Sequence, residues 1–426
     1  MGDRFAPHYM NAGDLRALQL DGLKWTVQHA YAGSEFYRNA FDQAGIRPQE
    51  IRSLEDIVRL PFTTAADLRD GYPFPLRSVP FEQIVRIHAS SGSTGKRKVL
   101  CYTQKDIDDW ADFFARCYEM VGLTREDRIQ VAVGYGVWSA GAGFQIGAER
   151  FGAVTIPVGP GNLDMQCQFM EDLGTTVLCA TGSMGLLMAE EIHRRGLRGR
   201  LALKKMIFGA EPCSDAMRAR VEELTGAETF EIYGLTELYG PGTAIECNRH
   251  EGMHYWADYY LIEIIDPETQ GPLPVGEKGE IVVTTLRKEA SPLIRYRTRD
   301  LSRLVPDSCS CGSVLPLHGR ISGRTDDMFI IRGVNIYPSQ VTAICSKVPG
   351  VATEYRILLD RKDGKDHMTI QVERAEKADP QNDGPVGKAI EERLRKELLV
   401  SGRVEVVDYG TLPRTDKKTK RVFDNR

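Results

Sequence analysis

The stretch Ser90-Ser91-Gly92-Ser93-Thr94-Gly95-Lys96 gathers hydroxyls, two glycines and a lysine into seven residues. Those types suit an anion: glycine lets backbone N–H groups close on oxygens, and hydroxyls and an ammonium add donors. It is not a Walker A loop, which needs four residues between its glycines and a Ser or Thr after the lysine. Here two residues separate Gly92 from Gly95, and Arg97 follows Lys96. Phosphate binding is the expectation; a flexible Ser/Gly surface loop is the alternative. A second segment, Tyr233-Gly234-Leu235-Thr236-Glu237, follows a strand-like run at 228–232. A hydroxyl and a carboxylate at a strand end suit a hydrated Mg2+ held against phosphates, or a helix start capped by Thr236. A third, Arg295-Tyr296-Arg297-Thr298-Arg299-Asp300, sets an acid among cations. It suits ribose hydroxyls, or a solvated charged strand end. The tail 410–426 carries six Lys/Arg and two Asp; a frayed basic end is the usual fate of such runs, and composition does not choose between that and a functional segment.

Flat walls and close backbone approach suit an aromatic ring. Tyr135, Trp138 and Phe144, interleaved with Gly134, Gly136 and Gly147, offer both; Phe144 serves equally in helix–sheet packing. His250-Glu251-Gly252-Met253-His254 matches H-E-x-x-H, a pattern that binds metal only on a helix. Gly252 inside it, Asn248 before it and a strand-like run at 259–265 favour a turn, so a metalloprotease is not expected. Cys247 lies just before it, and Cys309-Ser310-Cys311-Gly312 sits in a loop rich in Asp, Ser and Pro. Three thiolates and one imidazole make a closed tetrahedral zinc site. The expected set is Cys247, Cys309 and Cys311 with His254, His250 being the second choice. Free surface thiols are the alternative, because C-x-C is tighter than the usual C-x2-C. Cys101, Cys117, Cys167, Cys179, Cys213 and Cys345 have mostly apolar neighbours and are expected in the core.

These segments need elements to hold them. The first 80 or so residues read as helical. From residue 84, short apolar runs (84–87, 129–133, 154–158, 177–180, 205–208) alternate with helical stretches such as 106–121 and 184–195. Such alternation argues for α/β layers with largely parallel sheets. Runs 261–265 and 280–284 flank a Pro/Gly-rich turn and read as a β-rich hairpin or small barrel. Beyond the polar stretch 323–327 the order β-α-β-β-α-β (328–331, 338–348, 355–360, 368–373, 386–398, 403–407) suggests a split βαβ in a small α+β domain. The expected domains are therefore 1–325 and 326–426.

The 426 residues are 42% hydrophobic and 27% charged, enough for a core and for two or three domains. Net charge is 55 − 59 = −4, which gives no support for nucleic-acid or anionic-membrane partners. No apolar run approaches the ~18 residues that cross a bilayer, and the N-terminus lacks a signal-peptide apolar region. The odd count of nine cysteines argues against a secreted disulfide framework. A cytoplasmic protein with reduced thiols is expected.

The four chemical segments, in this order and together with Phe208-Gly209-Ala210-Glu211-Pro212 and Arg320-Ile321-Ser322-Gly323-Arg324-Thr325-Asp326-Asp327, resemble the adenylate-forming acyl-CoA synthetase superfamily, most of all its phenylacetate–CoA ligases and other aryl-CoA ligases. The resemblance covers nearly the whole chain. It implies ATP, Mg2+ and CoA as reactants and cofactors, with an aryl acid, phenylacetate first, passing through an acyl-adenylate to its thioester. Another aryl acid (benzoate, hydroxybenzoate, indoleacetate) or a carrier-protein thiol as acceptor is the alternative. By resemblance, Ser91, Gly92, Ser93, Thr94, Gly95 and Lys96 hold the β- and γ-phosphates, and Tyr233 stacks on adenine. Thr236 contacts the α-phosphate, Glu237 holds Mg2+, and Asp300 takes the ribose with Arg324 nearby. Ala210, Glu211, Pro212, Glu231, Ile232 and Gly234 complete the nucleotide site. The acid pocket falls at Tyr135, Gly136, Trp138 and Gly209. Asp326 is the hinge, and Lys418 the tail lysine that bridges carboxylate and α-phosphate. Two departures stand out: Cys213 where close relatives have tryptophan, and Lys417 where a glycine often precedes the tail lysine. Close relatives are often dimers, so a homodimer is implied by resemblance alone.

Overall fold

The computed structural model describes residues 5, 7, 9, 11–90, 96–211, 213–331, 334–362, 365–414 and 420–426, without the side chains of 362 and 365. The expected Ser91, Gly92, Ser93, Thr94, Gly95, Pro212, Lys417 and Lys418 lie outside the described residues.

An eight-stranded sheet forms the centre, in the order Leu317–His318, Met253–Tyr255, Gly240–Glu246, Glu228–Leu235, Lys205–Gly209, Val177–Thr181, Arg128–Val131, Val154–Ile156. The strands from Glu228–Leu235 onward to Val154–Ile156 run parallel. The other three are antiparallel. Parallel strands covered on both faces read as unbroken apolar runs, and Val177, Leu178, Cys179 and Ala180 are all buried. Helices Gln104–Met120, Ser139–Phe151, Gly182–Arg194 and Asp215–Thr225 cover the faces. Helix Gln104–Met120 starts in a capping box, Thr103 with Asp106, which satisfies orphan N–H groups reciprocally.

The hairpin expected at 261–265 and 280–284 is present: Tyr260–Ile265 pairs antiparallel with Gly279–Thr285, and Tyr296–Ser302 adds a third strand. The strand expected at 84–87 lies at Arg86–Ala89 and pairs with Val99–Tyr102. It thereby brackets the Ser/Gly loop.

The last hundred residues have a core of their own, built on Ile331, Ile336, Ile357, Leu359, Ile370, Ile390 and Leu394. Its topology corrects the split βαβ. Phe329–Ile331 pairs with Val334–Ile336 in a separate two-stranded ladder. The four-stranded sheet runs Arg403–Val407, Lys365–Arg374, Val351–Lys362, Val422–Asp424. The chain-end strand Val422–Asp424, absent from the expected order, forms the edge beside Val351–Lys362, where Arg421 anchors it: its guanidinium bonds Glu354 at 2.7 Å and its carbonyl accepts Ile357 N–H at 2.7 Å. Polar contacts reach the N-terminal part, among them the Arg414–Glu190 ion pair at 3.8 Å. The Tyr409 hydroxyl donates to Glu190, and Arg220 pairs with Glu376 at 2.7 Å.

All nine cysteines are free thiols, and the six assigned to the core are buried. No helix among the described residues is long and apolar enough to cross a membrane.

Candidate active site

In open parallel sheets, ligand sites form at the carboxyl ends of the strands. Here those ends carry the 134–138 segment, Gly209-Ala210-Glu211 and Tyr233 to Glu237. Close packing demands small residues: a Cβ on Gly209 would meet Ile232 Cγ2 at 2.9 Å, and one on Gly234 would meet the Gly240 carbonyl oxygen at 2.3 Å. Ala210 carries a positive φ of 70°, an uncommon state for a residue with a Cβ.

The Tyr233 hydroxyl donates to Asp300 Oδ2 at 2.8 Å, and Arg324 holds Oδ1 at 2.6 Å. Arg324 also bonds Asp326 at 2.9 and 3.0 Å. Asp300 is 4% exposed, so the solvated strand-end reading fails. Burial keeps its carboxyl above the usual carboxylate range although Arg324 and Tyr233 oppose this. His318 packs edge-on to the Tyr233 ring, 5.4 Å between centroids.

Glu237, 2% exposed, sits in the short 3-10 turn Thr236–Leu238. Lys98 donates to its Oε1, and Tyr296 donates to the same atom at 2.7 Å. Burial alone would raise Glu237, but the Lys98 charge and these bonds bring it below the usual carboxylate range. Thr236 is not a cap, since Leu235 holds that position; its hydroxyl meets Ser139 Oγ at 3.1 Å. Ser90 N–H donates to Lys98 O at 2.9 Å and Lys98 N–H to Ser90 Oγ at 3.2 Å. These bonds join Ser90 to Lys98, and Lys98 in turn reaches Glu237.

Glu211 Oε1 accepts the Ser183 N–H at 2.6 Å, at the start of helix Gly182–Arg194. Glu231 Oε1 accepts the Cys213 N–H at 3.2 Å, while its buried Oε2 has no hydrogen-bond partner. Glu231 lies beside the buried pair Glu246–Arg218, bonded at 2.9 Å. On the acid-pocket side, Trp138 is 43% exposed. The Tyr135 hydroxyl is buried without a hydrogen-bond partner. Gly136 has φ 86° with open space around it. Phe144 is core, 2% exposed against Phe114, so it forms no pocket wall. Lys96 lies over the Tyr72 ring at 5.6 Å.

Reasoning from the sequence missed Lys98, Ser139 and Tyr296. Tyr296 was legible, because it shares a strand with Asp300 at an even spacing, which favours one face. Lys98 and Ser139 carry no signal of their own.

A second cluster is separate. Ligand atoms of Cys247, His254, Cys309 and Cys311 lie within 4.8 Å of one another. Cys247 Sγ is 3.5 Å from Cys309 Sγ, and His254 Nε2 is 3.4 Å from Cys311 Sγ. Zinc bonds of ~2.0–2.3 Å at tetrahedral angles put ligand atoms roughly 3.4–3.8 Å apart, so the donor set fits. His254 Nδ1 meets the Leu315 carbonyl at 3.0 Å, which presents Nε2 to the thiols. His250 instead bonds Glu246 and Arg218, and His254 is on a strand, so H-E-x-x-H is not a helical metal motif here.

Two family models match: AMP-binding enzyme over residues 17–286 and AMP-binding enzyme C-terminal domain over residues 333–426. The chain belongs to the AMP-binding enzymes, the adenylate-forming ligases. Within them it groups with the phenylacetate–coenzyme A ligases. It is 42% identical to that of Escherichia coli (strain K12) over 97% of this chain and 95% of the relative. It is 40% identical to that of Thermus thermophilus over 97% of each. Among solved structures it is similar to 2-hydroxyisobutyryl-CoA ligase. That enzyme in its postadenylation state matches with a TM-score of 0.91 at 28% identity, over 100% of this chain and 93% of the other. The same enzyme in its thioesterification state matches with 0.71, over 98% and 91%.

Proposed function

We propose that this protein converts phenylacetate to its CoA thioester through an acyl-adenylate, releasing AMP and pyrophosphate. The observation that carries this reading is the convergence of Lys98, Glu237, Thr236, Tyr233 and Asp300 at the strand ends, in a chain 42% identical along 97% of its length to a phenylacetate–coenzyme A ligase.

A carboxylate is a poor acylating agent. Its attack on the α-phosphorus of ATP gives the mixed anhydride and expels pyrophosphate; the CoA thiol then displaces AMP. Residues 91–96 cradle the β- and γ-phosphates with N–H, hydroxyl and ammonium donors. Asp300, held between Arg324 and Tyr233, takes the ribose hydroxyls, and Tyr233 offers its ring to adenine. The main chain at Ala210, Glu211, Pro212, Glu231, Ile232 and Gly234 lines the base. Thr236 contacts the α-phosphate.

Glu237 and Thr236 are hard oxygen donors of the kind Mg2+ takes. Mg2+ bound there supplies Lewis-acid neutralisation of the phosphate oxygens. Both Lys98 and Tyr296 bond Oε1, which would leave Oε2 to hold the cation. The acid lies against Trp138, Tyr135, Gly136 and Gly209.

The units divide at 325/326. Lys418 stabilises the charge that develops on carboxylate and phosphate during adenylation, and rotation about Asp326 withdraws it for the thiol step. Cys247, His254, Cys309 and Cys311 would hold a structural zinc, which would tie the 309–311 stretch to strand Met253–Tyr255. The free thiols support a reducing, cytoplasmic setting.

The test is pyrophosphate release with ATP, Mg2+ and a panel of aryl and aliphatic acids, with and without CoA. Phenylacetate should give the fastest release and a CoA-dependent thioester. A different preferred acid would move the pocket assignment, and silence on every acid would overturn the reading.

A further inference from the structure

Lys288 is fully buried, outside every segment assigned above. An ammonium away from water must be hydrogen-bonded or paired. Its Nζ donates to the Glu237 carbonyl at 2.9 Å. It also lies over the faces of Tyr102 and Tyr239, 4.8 and 4.9 Å from their centroids, and ring faces attract cations.

The surroundings show what this arrangement holds. The Tyr102 hydroxyl donates to Thr236 O at 3.0 Å and Tyr239 O at 2.8 Å, and Tyr260 donates to Leu238 O at 2.9 Å. With Lys288 on Glu237 O, side chains take every carbonyl from Thr236 to Tyr239. Tyr239 needs this clamp, since its φ is +79°, a strained state for an aromatic residue. Lys288 is itself anchored. The next two N–H groups, of Glu289 and Ala290, donate to Asp106 at 2.8 and 3.0 Å.

We propose that Lys288 is a positioning residue for adenylation: with Tyr102 it fixes the 236–239 main chain, so that the Thr236 hydroxyl and Glu237 carboxylate face the nucleotide and its cation. This rests on the reading of Thr236 and Glu237 given above. Mg2+ held at Glu237 would act on pyrophosphate departure, a step that only adenylation contains, whereas the α-phosphate stays in the site until AMP leaves. A loosened turn therefore impairs the first half-reaction more than the second.

Lys288→Met and Tyr102→Phe are compared with Glu237→Gln in three measurements. These are pyrophosphate release against Mg2+ concentration with ATP and phenylacetate, CoA transfer from supplied phenylacetyl-adenylate, and thermal unfolding. Misplacing a catalytic group by about 1 Å can cost about 10²-fold. Lys288→Met is expected to lower adenylation, or raise the Mg2+ needed for half-maximal release, by about tenfold or more, with CoA transfer within about twofold of the parent. Tyr102→Phe, which keeps the ring and loses two bonds, moves the same way by less, and it carries the comparison if Lys288→Met does not fold. Normal adenylation in folded Lys288→Met, or in Tyr102→Phe if only that variant folds, beside an impaired Glu237→Gln overturns the proposal. So does equal loss of both half-reactions, which would make Lys288 purely structural. Normal adenylation by Glu237→Gln overturns the underlying site reading, and the proposal with it.

Discussion

Lys98 and Glu237 form an ion pair that joins the base of the Ser/Gly loop to the Thr236–Leu238 turn. The pair is largely buried, with side-chain exposures of 19% and 3%. Removing one partner of a buried pair leaves an uncompensated charge and costs ~3–5 kcal/mol. Lys98→Met should therefore lower the thermal unfolding midpoint of the free protein by several degrees. Mg2+–ATP should then restore more stability to the variant than to the parent, since a cation takes over the lysine's charge. Thermal unfolding with and without Mg2+–ATP checks this; equal stabilisation of both proteins would contradict it.

Asp300 accepts from Tyr233 and Arg324 and is assigned to the ribose. Hydrogen bonds to charged groups contribute ~1.5–3 kcal/mol. Asp300→Asn is expected to raise the KM for ATP by at least about tenfold, since 1.4 kcal/mol is one decade, and to leave the KM for phenylacetate nearly unchanged. A matched rise in both would remove the ribose role.

The sulfur cluster predicts about one zinc per chain after removal of any affinity tag. Structural zinc contributes folding energy directly, so Cys309→Ser should lose the metal and unfold at lower temperature. His250→Ala should retain it, because His250 is bonded to Glu246 and Arg218 instead. Zinc loss on His250→Ala would reverse the ligand assignment.

Burial, with the charge of Glu246 beside it, pushes Glu231 from 4.5 up to about 7. The folded state thus holds this proton more tightly than the unfolded chain. That contribution is complete below pH about 4.5 and is lost as pH rises through about 7. At 1.36 kcal/mol per unit the full span is on the order of 3 kcal/mol. Glu231→Gln stays neutral throughout, so its stability should fall less than the parent's between pH 5 and 8 in denaturant titrations. Parallel curves would contradict this.

Much of the fold was legible because its strands are long, apolar and interrupted by strong turn signals. Val177 to Ala180 and the 261–265 hairpin are examples. Val422–Asp424 was not, because three residues carry no period and its place in the sheet depends on Arg421 and Glu354 meeting from distant parts of the chain. The site followed the same division. Thr236, Glu237 and Asp300 stand in dense chemical segments. Lys98 and Lys288 are two cations among 55 Lys and Arg, and only the folded backbone shows that both converge on Glu237. The three cysteines and His254 of the second cluster were legible as types, with His254 preferred to His250, and the bonds of His250 to Glu246 and Arg218 support that preference.

The central claim is that one site performs two chemically distinct half-reactions and that Lys418 serves only the first. The direct measurement is phenylacetyl-adenylate formation from ATP and phenylacetate, set against CoA transfer from supplied phenylacetyl-adenylate, in the parent and in Lys418→Ala. The account predicts that the variant loses adenylate formation by several orders of magnitude, on the scale of the ~10²–10³ per electrostatic donor or more, and keeps CoA transfer near the parental rate. Retained adenylate formation, or equal loss of both half-reactions, would contradict it.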